Sequence, residues 1–368
     1  MSLTSQYAIA EIKDILNSYD LGHLVDIERN ERGYINTSFL IETEKEGQRL
    51  RHFLRRYKTG IRKSEIEFEH SILKHLANKG FTLVAQFIET RQGNSYLTRV
   101  EDGQVIFYTI FEYLEGEDKY TWIEPRCSPE ELSHAAALLA RYHMAVVDLK
   151  PKGRRYESQI AELIPHIAER IQQSSGSSKG KVFDRYLRDN IPLILRNCEE
   201  IQHQLVSVGA SEWLKLVIHS DFHPGNMKFE GVEIVALFDF DWSKIDLRCF
   251  DVGLAIWYFA TDWKKRNDGQ VRLRDFELFL DNYQTVLRQS QELEPLSKIE
   301  LLNLPLMISA GNLFVLNWTV TDYYDKEVQH DEYMVYLRHS VNFCKWYEQK
   351  GEHLLTEVIE SSLNILES

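Results

Sequence analysis

The sequence predicts an α+β protein of two lobes, an amino-terminal antiparallel sheet with one packed helix followed by a larger, mainly helical part. Three observations carry this expectation. At 368 residues the chain exceeds one ordinary domain and suits two. Apolar residues recur mostly at period two, with one helical interruption, between about residues 25 and 113, and change to steps of three and four after Gly116. Hydrophobic residues make up 43% and charged residues 27%, a globular composition with ample material for a core.

The elements follow in order. Ile9, Ile12, Leu16 and Tyr19 form one face of an opening helix. Val25-Asp26-Ile27 and Thr37 to Ile41 read as strands flanking a turn at Asn30 to Gly33, and Arg51 to Tyr57 reads as a third. A helix is expected from about Ser64 to Asn78, with Phe68, Ile72, Leu73 and Leu76 on one face and Gly80 as its stop. Ser95 to Arg99 and Val105 to Tyr113 then read as strands around the turn Glu101-Asp102-Gly103. Past Gly116, Ser128-Pro129-Glu130-Glu131 has the hydroxyl cap, proline and glutamate that open a helix. Leu132, Ala135, Leu139, Tyr142 and Val146 give that helix a buried stripe. Gln172 to Lys181 reads as a polar loop, residues 214–241 return to strand character, and the remainder from 270 is helical and aromatic-rich.

Composition excludes several classes of function. The formal net charge is −13, so a basic nucleic-acid footprint is not expected, while a cationic or zwitterionic partner is modestly favoured. Cys127, Cys198, Cys249 and Cys344 are scattered without a CxxC pair, which indicates neither a disulfide framework nor a thiolate zinc site. The amino terminus lacks the apolar core of a signal peptide, and the apolar run Val252 to Ala260 is far too short to span a bilayer. A cytoplasmic, soluble protein without a membrane partner is expected. No feature of the sequence sets an oligomeric state.

The chemistry concentrates between Val217 and Asp251. An apolar strand leads into His219-Ser220-Asp221, a Pro-Gly turn follows, and then Asn226; Met227 to Phe229 and Ile234 to Phe238 read as a hairpin ending at Asp239. Such a layout can gather Asp221, Asn226 and Asp239 over one small site. Phosphoryl transfer from ATP needs this set: a carboxylate to orient the acceptor hydroxyl and take its proton, and an amide oxygen with a second carboxylate to hold magnesium.

HSDFHPGN followed by FDFD resembles the catalytic segment of the aminoglycoside phosphotransferase, choline kinase and type II homoserine kinase superfamily, whose members are similar to protein kinases. Asn226 and Asp239 stand 13 positions apart, and Asp251 follows 12 later in Phe-Asp-Val-Gly. The resemblance implies a protein-kinase-like fold, with an amino-terminal nucleotide lobe over 1–115, a hinge at about 111–116 and a catalytic, acceptor-binding lobe over 116–368. It implies ATP and Mg2+ as cofactors, Asp221 as catalytic base, Asn226 and Asp239 as metal ligands, His219 as an organiser and Asp251 as a structural aspartate opening a helix. Gly33 to Ser38, with Asn36, takes the place of the loop over the phosphates. Arg55 stands where the family usually has a lysine facing the phosphates, with Glu69 as its ion-pair partner. Glu112, Tyr113 and Leu114 fall in the hinge that holds adenine. Residues 234–263 and Phe279 to Tyr324 look most like type II homoserine kinases.

Alternatives stand beside these roles. Asp241 competes with Asp239 for the metal, since in an extended strand both carboxylates point one way. Glu65 rivals Glu69, and Arg55 could simply decorate a strand face. His219, Asp221 and His223 also spell a fragment of a metal hydrolase. Trp242, Trp257, Tyr258, Trp263, Trp318, Tyr323 and Tyr324 could line an acceptor pocket or belong to the core. Functionally, the acceptor is a small molecule with a hydroxyl, preferably amino-bearing, homoserine-like or an amino alcohol, or an aminoglycoside. Asp241, Asp262 and Asp322 are candidates to meet its ammonium. The alternatives are a catalytically silent nucleotide-binding module and a protein kinase; against the latter, Asp239 to Asp251 leaves little room for an activation segment.

Overall fold

The computed structural model describes residues 3–30, 36–123, 125–176, 179, 182–264, 266–325 and 331–367. Its contacts divide the chain into two compact units, the first made of Met1–Gly116, Lys150–Arg155 and Val235–Asp241. That unit opens with α1 (Leu3–Leu16), then β1 (His23–Asn30), β2 (Thr37–Lys45), β3 (Gln48–Arg56), α2 (Lys63–Asn78), β4 (Leu97–Glu101) and β5 (Gln104–Glu112). The order is the one the periodicity predicts. The five strands form one antiparallel sheet in the order β1-β2-β3-β5-β4.

Two apolar faces hold this unit together. Ile12, Ile15 and Leu16 of α1, with Tyr19 in the bend that follows it and not on the helix as expected, pack with Ile41, Leu54, Ile106 and Ile110 from the sheet. On α2 the buried stripe is Ile66, Phe68, Ile72, Leu73 and Leu76, and Glu69 is buried with it. The fourth strand runs Leu97–Glu101, two residues later than the expected Ser95 to Arg99. Its turn explains the shift. Asp102 and Gly103 both take left-handed backbone angles, which pairs Glu101 with Gln104 and sets the register from the turn backwards.

The second unit comprises Glu117–Leu149, Tyr156–Ile234 and Trp242–Ser368. It contains α3 (Pro129–Val146), α4 (Ile160–Ser175), α5 (Val182–Ser207), β6 (Lys215–Ile218), β7 (Met227–Glu230), the start of β8 (Glu233–Leu237), β9 (Lys244–Leu247), α6 (Arg248–Ala260), α7 (Leu273–Arg288), α8 (Lys298–Leu302), α9 (Leu304–Asp325), α10 (Glu332–Trp346) and α11 (Glu352–Glu367). Ser128 caps α3 as its sequence predicts, accepting from the Glu131 N–H while Glu131 reaches back. Gln172 to Ser175, expected in a loop, are the last turn of α4. Ile171 is fully buried there, so tertiary packing carries the helix past the point where propensity falls. The rest of that expected loop, 177–178 and 180–181, lies outside the described residues.

The core of this unit is the crossing of α6 and α9, whose glycines allow close approach. A Cβ on Gly253 would stand 2.7 Å from the Met307 carbonyl carbon, and one on Gly311 would stand 3.1 Å from the Leu254 Cα. Every residue of α6 is buried. Among the described residues α9 is the one helix long and apolar enough to cross a bilayer, yet 89% of its apolar window is buried inside the protein. All four cysteines are unpaired.

Candidate active site

In the first unit the site begins with β3. Its register puts Arg55 opposite Ser38 on β2 and Thr109 on β5, with the side chain turned inward. The Arg55 guanidinium donates to Glu69 Oε1 at 2.9 Å and lies 3.6 Å from Asp239 Oδ1. It also lies over the Phe111 ring, 5.2 Å from its centre. Burial opposes the charge, but Glu69, then Tyr57, Asp239 and Asp241 more than offset it, so the guanidinium holds its proton more firmly than usual. Arg55 and Glu69 are therefore a buried ion pair, neither of them surface decoration.

A hydrogen-bond chain fixes Glu69 from behind. Tyr57 donates its hydroxyl to Glu69 Oε2 at 2.9 Å, and His70 Nε2 lies 3.2 Å from the same hydroxyl. The Tyr57 proton points at the carboxylate, so His70 must donate through Nε2 and accept from the Ser95 hydroxyl at Nδ1, 2.8 Å away. Burial, with Arg55 nearby, pushes His70 down to about 3, which keeps it in that neutral form.

Asp239 and Asp241 do not share one side of an extended strand. The strand β8 ends at Leu237, whose N–H is held by the Leu83 carbonyl at 2.7 Å. Asp239 then turns left-handed at φ 71°, and Phe240–Trp242 form a 3-10 turn. The kink separates the two carboxylates: Asp239 faces Arg55, while Asp241 Oδ2 accepts from Asn36 Nδ2 at 2.8 Å. Asn36 also holds the chain after β3, accepting from the Lys58 N–H at 3.0 Å. Gly33, Tyr34 and Ile35 of the expected phosphate loop lie outside the described residues. In the hinge segment the Glu112 N–H is committed to the Gln86 carbonyl at 2.9 Å.

In the second unit the loop after β6 is shaped by Asp251. Its carboxylate accepts the N–H groups of His219 and Ser220, each at 2.9 Å, and meets His143 Nε2 at 3.0 Å. Ser220 is held at φ 63°, a conformation that costs a side-chain-bearing residue about 1–2 kcal/mol. Asp251 thus acts as a buried acceptor in the first turn of α6 and not as its cap, which falls at Leu247. His143 is the partner that sequence reasoning missed. Its one signal was a polar residue inside the apolar stripe of α3.

The strained loop presents Asp221. Asn226 Nδ2 donates to the Asp221 carbonyl at 2.9 Å and to Oδ2 at 2.7 Å, which uses both amide hydrogens. Asn226 Oδ1 is buried and has no hydrogen-bond partner among the described residues. His223 Nδ1 accepts from the Gly225 N–H at 3.0 Å, so the neutral ring carries its proton on Nε2, 3.5 Å from Asp221 Oδ2. The Tyr258 hydroxyl sits 3.4 Å from Asp221 Oδ1. Burial works against the Asp221 charge, yet His223, His219 and the Asn226 hydrogen bond outweigh it and hold the carboxyl below its usual range. Asp221 is consequently ionised at neutral pH and able to accept a proton.

The hydrolase-like spelling His219, Asp221, His223 is not a metal cluster. His219 Nδ1 accepts from the Asp221 N–H at 3.3 Å, and among the described residues no group of three or more His, Cys, Asp or Glu is assembled to hold an ion. Most of the candidate pocket aromatics belong to the core, with Trp257 fully buried and Trp263 stacked on His339 at 3.7 Å. Asp262 is already neutralised by Arg272 at 3.2 Å, with Arg126 at 3.7 Å, so it is no longer a candidate to meet an ammonium.

Comparison with known proteins agrees with this chemistry. The family model described as "Phosphotransferase enzyme family" matches residues 26–286, well over half of the chain. A homoserine kinase from Afipia carboxidovorans is 26% identical over 328 residues, covering 88% of this chain and 87% of its own. One from Agrobacterium fabrum is 24% identical, covering 86% and 85%. Among solved structures, a microcompartment-associated aminopropanol kinase superposes with a TM-score of 0.70 at 15% identity, over 95% of this chain and 99% of its own. The amicoumacin kinase hAmiN, solved with AMP-PNP, Ca2+ and its ligand, gives 0.65 at 17% identity, over 95% and 96%. The fold is thus the two-lobed, protein-kinase-like one, and the chain belongs to the phosphotransferase enzyme family as an ATP-dependent small-molecule kinase.

Proposed function

We propose that the chain phosphorylates the hydroxyl of a small amine-bearing metabolite, homoserine or a related amino alcohol, using ATP and magnesium. The observation that carries this reading is the setting of Asp221, an ionised carboxylate fixed by Asn226, His223 and Tyr258. In that role Asp221 orients the acceptor hydroxyl and takes its proton as the oxygen attacks the γ-phosphorus. His219 and Asp251 hold the loop in its strained form.

The residues present fit magnesium. Asn226 Oδ1 is a buried hard oxygen without a hydrogen-bond partner among the described residues, and Asp239 keeps a third of its side chain exposed (33%) beside Arg55. Asp241 remains a rival, because its Oδ1 is also without a hydrogen-bond partner among the described residues. When bound, magnesium supplies charge neutralisation for the phosphates. In the proposal Arg55 and Asn36 serve the phosphate side, Glu69 orients Arg55, and the backbone of Glu112, Tyr113 and Leu114 receives adenine. With the Glu112 N–H spent on Gln86, its own contribution would come from the carbonyl.

The acceptor class rests on the relatives: homoserine and aminopropanol, named in two of them, are both alcohols bearing an amine. The test is ATP consumption at fixed magnesium with homoserine, aminopropanol, choline and neutral sugars. Homoserine and aminopropanol, which carry N–H donors, should be turned over at least about tenfold more efficiently than the sugars, the worth of one charge-assisted hydrogen bond. A clear preference for a neutral sugar would overturn the acceptor class and leave the kinase standing.

A further inference from the structure

The first unit includes one stretch from beyond its main run, Lys150–Arg155, which reads Lys-Pro-Lys-Gly-Arg-Arg and lies against α2. Its backbone does the holding. The Arg154 N–H donates to the Ser64 carbonyl at 2.9 Å, and the Lys152 N–H donates to Ser71 Oγ at 3.1 Å. Ser71 in turn donates to the Phe68 carbonyl at 2.8 Å. Ser64, Phe68 and Ser71 recur at steps of four and three, so the stretch follows one face of the helix. Gly153 makes the approach possible. It stands at φ 78°, and a Cβ there would lie 2.1 Å from the Ser64 carbonyl oxygen and 2.9 Å from the Phe68 nitrogen.

Arg155 adds a charge to these contacts. Its guanidinium lies 3.7 Å from Glu65 Oε1, while Glu65 Oε2 accepts from the Arg62 N–H at 3.2 Å, at the start of α2. Glu65, the rival of Glu69 for Arg55, is thus committed to Arg155 and to its own helix. Glu69 follows one turn later. Burial, with Asp241 nearby, pushes the Glu69 carboxyl up; Arg55 opposes this most strongly, and Tyr57 and Arg155 also favour the charged form.

We propose that Lys150–Arg155 is a strap that sets the position of α2, and that Gly153 and Arg155 are positioning residues for nucleotide binding, acting through Glu69 on Arg55. This rests on the reading that Arg55 serves the phosphate side of the site. The strap grips the helix on both sides of Glu69, at Ser64 and Glu65 before it and at Ser71 after it. A helix so held cannot slide or turn without giving up these contacts. Misplacement by about 1 Å is enough to cost a positioned group much of its effect.

The test measures ATP affinity with magnesium, by calorimetric titration, in the wild type, Gly153→Ala and Arg155→Met, each alone and combined with Glu69→Gln. Heat denaturation without nucleotide checks that each variant folds. Arg155→Met, which adds no backbone clash, carries the test if Gly153→Ala does not fold. Each strap variant should weaken ATP binding severalfold, and by no more than Glu69→Gln does. In the Glu69→Gln background the same change should cost less than about twofold further, because residues that act through one another are not additive. Wild-type affinity in either folded strap variant, or an equal further loss in the Glu69→Gln background, overturns the inference alone. A wild type that binds no ATP, or a Glu69→Gln variant that binds it as tightly as the wild type, overturns the inference together with the reading beneath it.

Discussion

The two units secure their functional side chains by opposite means. In the first, charge is balanced against charge: Arg55 lies between Glu69 and Asp239, with Tyr57 and His70 bracing the pair from behind. In the second, backbone N–H groups do the holding: Asp251 takes two of them and keeps Ser220 in a left-handed bend. The first arrangement leaves a cation buried and matched. The second leaves an ionised carboxylate at Asp221 and, at Asn226, an amide oxygen unpaired among the described residues. A change that keeps the charge of the ion pair leaves its balance in place, whereas a loop defined by one buried acceptor fails with that acceptor.

The largest effect is therefore expected at Asp251. Asp251→Ala strands two buried N–H groups and His143, and should cost about 3–5 kcal/mol, read from the urea midpoint, with activity lost alongside. A loss no larger than that of an exposed carboxylate would break the contrast.

A second buried pair in the same unit sharpens the point. Arg248 and Glu300 are buried partners at 2.8 Å, and Glu300 also accepts from the Ser297 N–H. Burial works against the Glu300 charge, but Arg248 and Ser297 hold its pKa below the ordinary glutamate value. A lowered folded-state pKa gives stability that is present above the unfolded value and lost as pH falls through the folded one. Glu300→Gln should cost about 1.5–3 kcal/mol at pH 7, and the gap to the wild type should close as pH falls below about 4.3. A gap independent of pH would show that charge contributes nothing there.

The smallest effect is expected at Arg55. Lysine keeps the charge but not the planar fork that meets Glu69 and Asp239 together. Arg55→Lys should lower stability by about 1 kcal/mol and weaken ATP binding severalfold, measured by calorimetric titration. Unchanged nucleotide affinity would place Arg55 in the structure of the unit and outside the phosphate site.

Much of this was legible in the sequence, and the reasons differ by element. The cap Ser128-Pro129-Glu130-Glu131 and the alternation of the sheet are local signals, and both appear in the structure, the fourth strand two residues later than the pattern puts it. The spacing of Asp221, Asn226 and Asp239 carried the resemblance to the phosphotransferase family, because it is a local feature of one short segment. The left-handed turn at Asp239 was not readable, since nothing in Phe-Asp-Phe-Asp marks a kink, and the extended-strand reading of Asp239 and Asp241 fails for that reason. Nor could the sequence show that His143 supports Asp251 or that Arg272 neutralises Asp262, because those pairings are made by tertiary packing between distant segments. The helical end of α4 belongs to the same class: Ile171 is buried by contacts that a local window does not see.

The proposed division of labour gives Asp221 the acceptor and Asp239 the metal-bound nucleotide. It is tested most directly by measuring turnover and ATP affinity, with and without magnesium, in Asp221→Asn and Asp239→Asn. Asp221→Asn should lose about 10²–10⁴-fold in kcat while binding ATP with magnesium as the wild type does, because its role lies in the transition state. Asp239→Asn should lose turnover and also most of the magnesium-dependent part of ATP binding. Full activity in Asp221→Asn, or the same loss of nucleotide affinity in both variants, would contradict the assignment.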